Sequence, residues 1–236
     1  MKTIIHRASS RGHADHGWLN AWHSFSFAGY HDPLKTHFGL LRVLNDDTVA
    51  AGMGFGTHPH DNMEIVTIPL EGVLEHKDST GGNGVIKVNE VQVMSAGSGL
   101  RHSEFNHSKT EPVKLFQIWV FPKLRNIKPG YDQRMFDPQE RKNNWQVVAG
   151  GVLCPEALQI NQDAYFSLAN LDKEKSLDYK IRHKGNGVYL MLIKGKIEVD
   201  GNVLEKRDAI GLSDLDSVSI KALEASELLA IEVPME

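Results

Sequence analysis

Two short segments of this chain hold donor side chains at the spacing of a metal site. In Gly52-Met53-Gly54-Phe55-Gly56-Thr57-His58-Pro59-His60-Asp61-Asn62-Met63-Glu64, the two histidines stand two residues apart. Residues i and i+2 of a β-strand project from one face, so His58 and His60 point the same way and can share an ion. In Gly97-Ser98-Gly99-Leu100-Arg101-His102-Ser103-Glu104, the pair His102 and Glu104 repeats that spacing. An HxH alone arises often by chance. HxH followed about forty residues on by HxE, both bounded by glycines, is far more specific. Three neutral imidazoles and one carboxylate leave a divalent ion with a net charge near +1. In octahedral geometry two positions stay open for water, or for a bidentate oxygen ligand and dioxygen, unlike a closed structural zinc. Imidazole-rich sites suit Fe, Ni, Cu and Zn, and the carboxylate makes Mn or Co acceptable.

Composition removes competing chemistries. The one cysteine, Cys154, supports neither an intrachain disulfide framework nor a thiolate-rich zinc site, and fits a reducing compartment, the cytoplasm. His102-Ser103-Glu104 has the HxE form of zinc deaminases, but their thiolate pair cannot be built from one Cys. No GxGxxG, P-loop or GxSxG elbow occurs. With 26 Lys+Arg against 30 Asp+Glu, the charge of -4 gives no bulk electrostatic reason to expect nucleic acid. No apolar run approaches the roughly 18 residues of a membrane span. The N-terminal residues lack the apolar core of a signal peptide. Of the 12 histidines, all but His183 lie within residues 1–107.

The elements that must position these groups read as strands. Short apolar stretches such as Val85–Met94 and Leu115–Val120 end at Gly, Asn, Asp or Pro. Asp200-Gly201 between Ile197-Glu198-Val199 and Val203-Leu204 predicts a tight hairpin. Helical periodicity is weak and confined to short pieces, one near Pro138–Asn143. An internal repeat is visible. Ile65–Glu75 lies over Val188–Glu198, with Gly72 over Gly195, and Val93–Gly97 lies over Ala209–Ser213. The pattern predicts two β-barrels of similar plan, with a seam in Pro122–Asn144 near Pro138.

Gly52-x5-His58-x-His60-x3-Glu64-x7-Gly72 closely resembles the first cupin motif, one residue different in its last spacing, and Gly99-x2-His102-x3-Asn106 matches the core of the second. Within cupins the chain resembles the pirin family. The resemblance is carried by Arg11–Leu19, Trp22–Phe27, Phe55–His60 and Met94–Glu104. It is dense in the N-terminal half and architectural in the C-terminal half. It implies an all-β bicupin of two tandem jelly-roll barrels, residues 1–137 with the metal and residues 138–236 degenerate and without one. Many cupins use the Glu of the first motif, here Glu64, as fourth ligand. Strand parity leaves Glu64 and Glu104 both open; the family resemblance favours Glu104. It also implies a quercetinase, a dioxygenase that opens the heterocyclic ring of a flavonol with O2 and releases carbon monoxide. Fe(II) is the first expectation for the ion, with Ni, Co, Mn, Cu or Zn as other occupants. His58, His60, His102 and Glu104 would hold it, and Glu104 would also take the proton of the substrate's 3-hydroxyl. Phe55 and Gln117 are expected in the pocket wall. The alternative is a metal- or redox-dependent regulatory protein with a protein partner and incidental dioxygenase activity.

By the repeat, His58 and His60 carry over to Ile181 and His183, and His102 and Glu104 to Val218 and Ile220. That face is expected to be apolar core, with no metal and with His183 an ordinary polar residue. His13, His16, His23, His31 and His37 are read as surface or structural residues in a segment that could cover the barrel mouth. His76 and His107, beside charged or polar neighbours, are read as solvent-facing.

Overall fold

The computed structural model describes residues 1–151 and 154–236. It is built of strands, with one 3-10 turn at Ala8–Ser10. The first half holds β1 (Lys2–His6), β2 (Gly12–Asp15), β3 (Leu19–His23), β4 (Leu41–Val49), β5 (Gly54–His60) and β6 (Glu64–Glu71). It continues with β7 (Val73–Asp78), β8 (Asn83–Lys87), β9 (Glu90–Ser95), β10 (Leu100–Asn106), β11 (Val113–Val120) and β12 (Gly130–Met135). The second half holds β13 (Gln146–Gly150), β14 (Leu158–Gln159), β15 (Tyr165–Leu171), β16 (Ser176–Lys180) and β17 (Asn186–Lys194). It ends with β18 (Lys196–Val199), β19 (Asn202–Glu205), β20 (Ala209–Ser213), β21 (Ser217–Ala222) and β22 (Ser226–Pro234). Among the described residues no helix is long and apolar enough to cross a membrane.

The strands form two sandwiches, each of a seven-stranded and a four-stranded sheet. The large sheets run β12-β9-β6-β11-β4-β3-β2 and β1-β20-β17-β22-β15-β13-β14; the small ones run β5-β10-β7-β8 and β16-β21-β18-β19. Order 9-6-11-4 in the first thus matches 20-17-22-15 in the second, and 5-10-7-8 matches 16-21-18-19. The internal repeat is therefore one topology used twice. Gly72 and Gly195 make the same turn in both halves, with φ of 77° and 89°. The hairpin at Asp200-Gly201 has positive φ at both central residues (48° and 70°), the primed turn that suits strand twist. No helix forms near Pro138–Asn143. Successive turns, Glu140 N to Asp137 O (3.1 Å) and Lys142 N to Gln139 O (3.2 Å), stop at Asn143, whose φ is 52°.

The two units join through their large sheets. Phe116, Ile118 and Val120 of β11 share one buried apolar cluster with Leu229, Ile231 and Val233 of β22 and with Tyr189 of β17. The chain also crosses between units at its start, since β1 is the outer strand of the second large sheet, paired with β20. Inside the second sandwich, Val218 (8% exposed) and Ile220 (0%) belong to an apolar cluster, with Ile181 packed against it.

Candidate metal centre

The centre lies inside the first sandwich, where β5 and β10 run antiparallel. Pairing puts His102 directly across from His58 and Leu100 across from His60. A bulge then shifts the register between His102 and Glu104, so that Glu104 pairs with Phe55. Bulges re-aim side chains at barrel rims, and here both members of the HxE pair stay on the inner face: β10 alternates buried and exposed, with His102 at 1% and Glu104 at 2% exposure. The imidazoles of His58, His60 and His102 form a triangle with centroid separations of 4.9, 4.4 and 4.8 Å. Their donor atoms lie within 4.8 Å of one another. Glu104 joins this set through His102: together with His76 they form a second buried group at the same mutual spacing.

Hydrogen bonds orient the donors. The His58 Nδ1–H donates to Gly56 O at 2.8 Å, which leaves Nε2 with its lone pair. Asp78 Oδ2 lies 3.1 Å from His76 Nε2; a carboxylate only accepts, so the His76 proton sits there. Asp78 is itself held ionised, its pKa lowered against the cost of burial by Thr80, His76 and the Gly82 N–H. His76 Nδ1 is then an acceptor, 3.3 Å from Gln92 Nε2 and 3.4 Å from His102 Nδ1. The His102 proton falls on Nδ1, and its Nε2 is buried with no partner among the described residues. Burial, and then the neighbouring imidazoles, lower His102 to about 3; burial and then His58 lower His60 to about 4. Both are neutral at pH 7 and offer lone pairs rather than charge.

Glu104 is anchored from behind. Gln117 Nε2–H donates to its Oε2 at 2.8 Å, and Thr67 Oγ1–H donates to Gln117 Oε1 at 3.0 Å. Burial pushes the Glu104 carboxyl up to about 7, against the lowering effect of those hydrogen bonds. Its Oε1 is buried and without a partner among the described residues. Two orphaned atoms, His102 Nε2 and Glu104 Oε1, are what a divalent cation would satisfy, so the donor set fits a transition metal. The Oε1 of Glu64 is likewise buried with no partner among the described residues. Glu64 is fully buried, its Oε2 accepts from Ser95 Oγ (2.6 Å) and from the Asn161 backbone N–H (3.0 Å), and it belongs to neither donor group.

A cavity of about 620 Å³, counted to its open mouth, reaches this centre and is within the size of small-molecule sites. His58, His60 and Glu104 line it, as do Phe55 and Gln117. The wall also contains Phe27, from the N-terminal segment that could cover the barrel mouth, and Asn45, Asp47 and Trp119, which sequence reasoning did not single out. The i, i+2 spacing of Asn45 and Asp47 on β4 was the available signal, but nothing local distinguishes it from an ordinary polar strand.

One histidine needs reassignment. His76, read as solvent-facing from its charged neighbours, is 1% exposed and stacks on Tyr131 with centroids 4.6 Å apart. Strand alternation explains it: Glu75 and Lys77 face out, while Leu74, His76 and Asp78 face in. His107 does reach the surface, 3.2 Å from Glu75. His23 is buried with its Nδ1 2.9 Å from Asn45 Oδ1, whereas His13 stacks on Trp22 at the surface. The N-terminal segment reaches the cavity through Phe27, and Trp18 packs edge-on against Phe55. In the second sandwich, the backbone N–H groups of Arg182 and His183 donate to the buried Glu232, which also takes the Tyr179 hydroxyl at 3.0 Å.

Comparison with known proteins agrees along the whole chain. A family model described as Pirin matches residues 5–120, and one described as Quercetinase C-terminal cupin domain matches 154–233. Quercetin 2,3-dioxygenase of Escherichia coli (strain K12) is 42% identical over 230 residues, 98% of each chain. A pirin-like protein of Caulobacter vibrioides is 40% identical over 222 residues, 94% of this chain and 95% of that one. The crystal structure of YhhW from Escherichia coli superposes with a TM-score of 0.94 at 40% identity, covering 99% of this chain and 98% of the other. The structure of bacterial pirin YhhW in complex with nickel(II), also from Escherichia coli, gives 0.92 at 39% identity, with 99% of each chain covered.

Proposed function

The chain belongs to the pirin family, and from that premise we propose that it is a metal-dependent dioxygenase that opens the heterocyclic ring of a flavonol with O2 and releases carbon monoxide. The observation that carries the reading is the cluster of His58, His60 and His102, with the buried Glu104 carboxyl grouped to it through His102, beside a cavity walled by aromatic rings. His58, His60, His102 and Glu104 would hold a divalent ion, Fe(II) being the first candidate and Ni, Co, Mn, Cu or Zn the alternatives. When bound, the ion supplies a Lewis acid for the oxygen of a deprotonated hydroxyl and open positions for oxygen ligands. The Glu104 carboxylate would accept the hydroxyl proton. Gln117 keeps its Oε2 in place during the transfer. Phe55 and Trp119 bind the flat ring system and keep water from it.

The test is flavonol turnover by the metal-loaded protein. Consumption of flavonol that stops without O2, returns on its readmission and releases carbon monoxide supports the proposal. Metal-replete protein that turns over no flavonol in air refutes it. Chelation should abolish turnover, and reloading with one metal at a time ranks the candidates.

A further inference from the structure

The cavity has a second polar wall that the metal donors leave unexplained. Asp46 and Asp47 are neighbours on β4 and project to opposite faces. Asp46 meets Arg11 (3.3 Å) and Arg207 (2.7 Å), so its charge is paired. Asp47 turns into the cavity, 4% exposed, with its Oδ1 buried and without a partner among the described residues. Asn45, on the same face, has its Oδ1 2.9 Å from His23 Nδ1. β4 belongs to the large sheet and β5 and β10 to the small one, so Asp47 faces the histidines from the opposite layer of the sandwich. An unsatisfied buried polar group costs roughly 1–3 kcal/mol and persists where a ligand or a network uses it.

We infer that Asp47 is a specificity-determining residue that hydrogen-bonds a phenolic hydroxyl of the substrate, remote from the oxygen held at the metal centre, so that the site prefers hydroxylated over unsubstituted flavonols. The inference rests on the flavonol reading above. Phe27 and Trp119, edge to face at 5.3 Å, provide flat apolar surface in the same wall. Burial, then Asp46 and Glu104, push the Asp47 carboxyl up to about 8. Its side-chain oxygens offer an acceptor to a phenolic O–H in the cavity.

The experiment compares quercetin with 3-hydroxyflavone, which keeps only the reacting hydroxyl, on metal-loaded wild type and on Asp47→Leu, Asp47→Ala and Asp47→Asn, after each variant's fold and metal content are checked. The readout is the ratio of kcat/KM for the two substrates. A site built to bond a hydroxyl rejects the analogue lacking it, so a ratio above about 10 in wild type should fall toward 1 in the Leu and Ala variants. Asp47→Asn, which keeps an acceptor, should retain most of it. A wild-type ratio near 1, or a ratio that the two truncations leave unchanged, overturns the inference. Should wild type turn over neither compound, the flavonol reading fails by itself. The same ratio is then taken from anaerobic binding affinities by flavonol absorption, with the same two outcomes overturning Asp47's role.

Discussion

His76 Nδ1 stands 3.4 Å from His102 Nδ1, and the other nitrogen of His76 is 3.1 Å from Asp78. The chain Asp78–His76–His102 sets the tautomer of each ring in turn and leaves His102 Nε2 free for an ion. A carboxylate acting through one imidazole on a metal-binding imidazole is an indirect support, and its loss should weaken binding about 10–100-fold. Both His76→Phe and Asp78→Asn should show this when nickel(II) is competed against a chromophoric chelator. Affinity within about twofold of wild type would separate the chain from the site.

Glu104 and Glu64 should part company on substitution. Glu104→Gln should lower bound metal per chain with little loss of stability. Glu64→Gln should keep its metal but lower Tm, because Ser95 Oγ and Asn161 N–H both depend on its Oε2 and Asn161 belongs to the second sandwich. A hydrogen bond to a buried charged group contributes about 1.5–3 kcal/mol. Full metal retention in Glu104→Gln beside loss in Glu64→Gln would reverse the assignment.

Acid should destabilise the join between β1 and the second sheet through His6. Burial first, then Lys35, lower its pKa from 6.5 to about 4, while its Nδ1 lies 2.9 Å from the Tyr189 hydroxyl oxygen. Between those values the unfolded chain binds more protons than the folded one. Stability from His6 is thus complete above about pH 6.5 and lost as pH falls toward 4. At pH 5 the loss is about 2 kcal/mol at most. Denaturant titrations at pH 7.5 and 5 should show a smaller drop for His6→Asn than for wild type; equal drops would count against it.

Three glycines should separate strain from collision. Gly72, Gly195 and Gly201 all have positive φ, but an added Cβ would meet Pro112 O at the first, Ala225 O at the second and open space at the third. Gly201→Ala should cost about 1 kcal/mol, and Gly72→Ala and Gly195→Ala clearly more, about 2–4 kcal/mol. Equal losses at all three in denaturant unfolding would contradict this.

The sequence by itself determined what depends on near neighbours. The i, i+2 donor pairs, the strand alternation, the primed turn at Asp200-Gly201 and the repeated glycine at Gly72 and Gly195 were all legible, because each is a local preference of backbone or side chain. The inward face of His76 was legible in principle from Leu74 and Asp78, yet the charges of Glu75 and Lys77 masked it. Tertiary structure alone decided the rest. It brought His102 across from His58, bulged β10 before Glu104, carried Glu64 to the seam, paired β1 with a strand some two hundred residues away and set Asp47 opposite the histidines. Those relations depend on the register and packing of strands distant in sequence, which no local preference encodes.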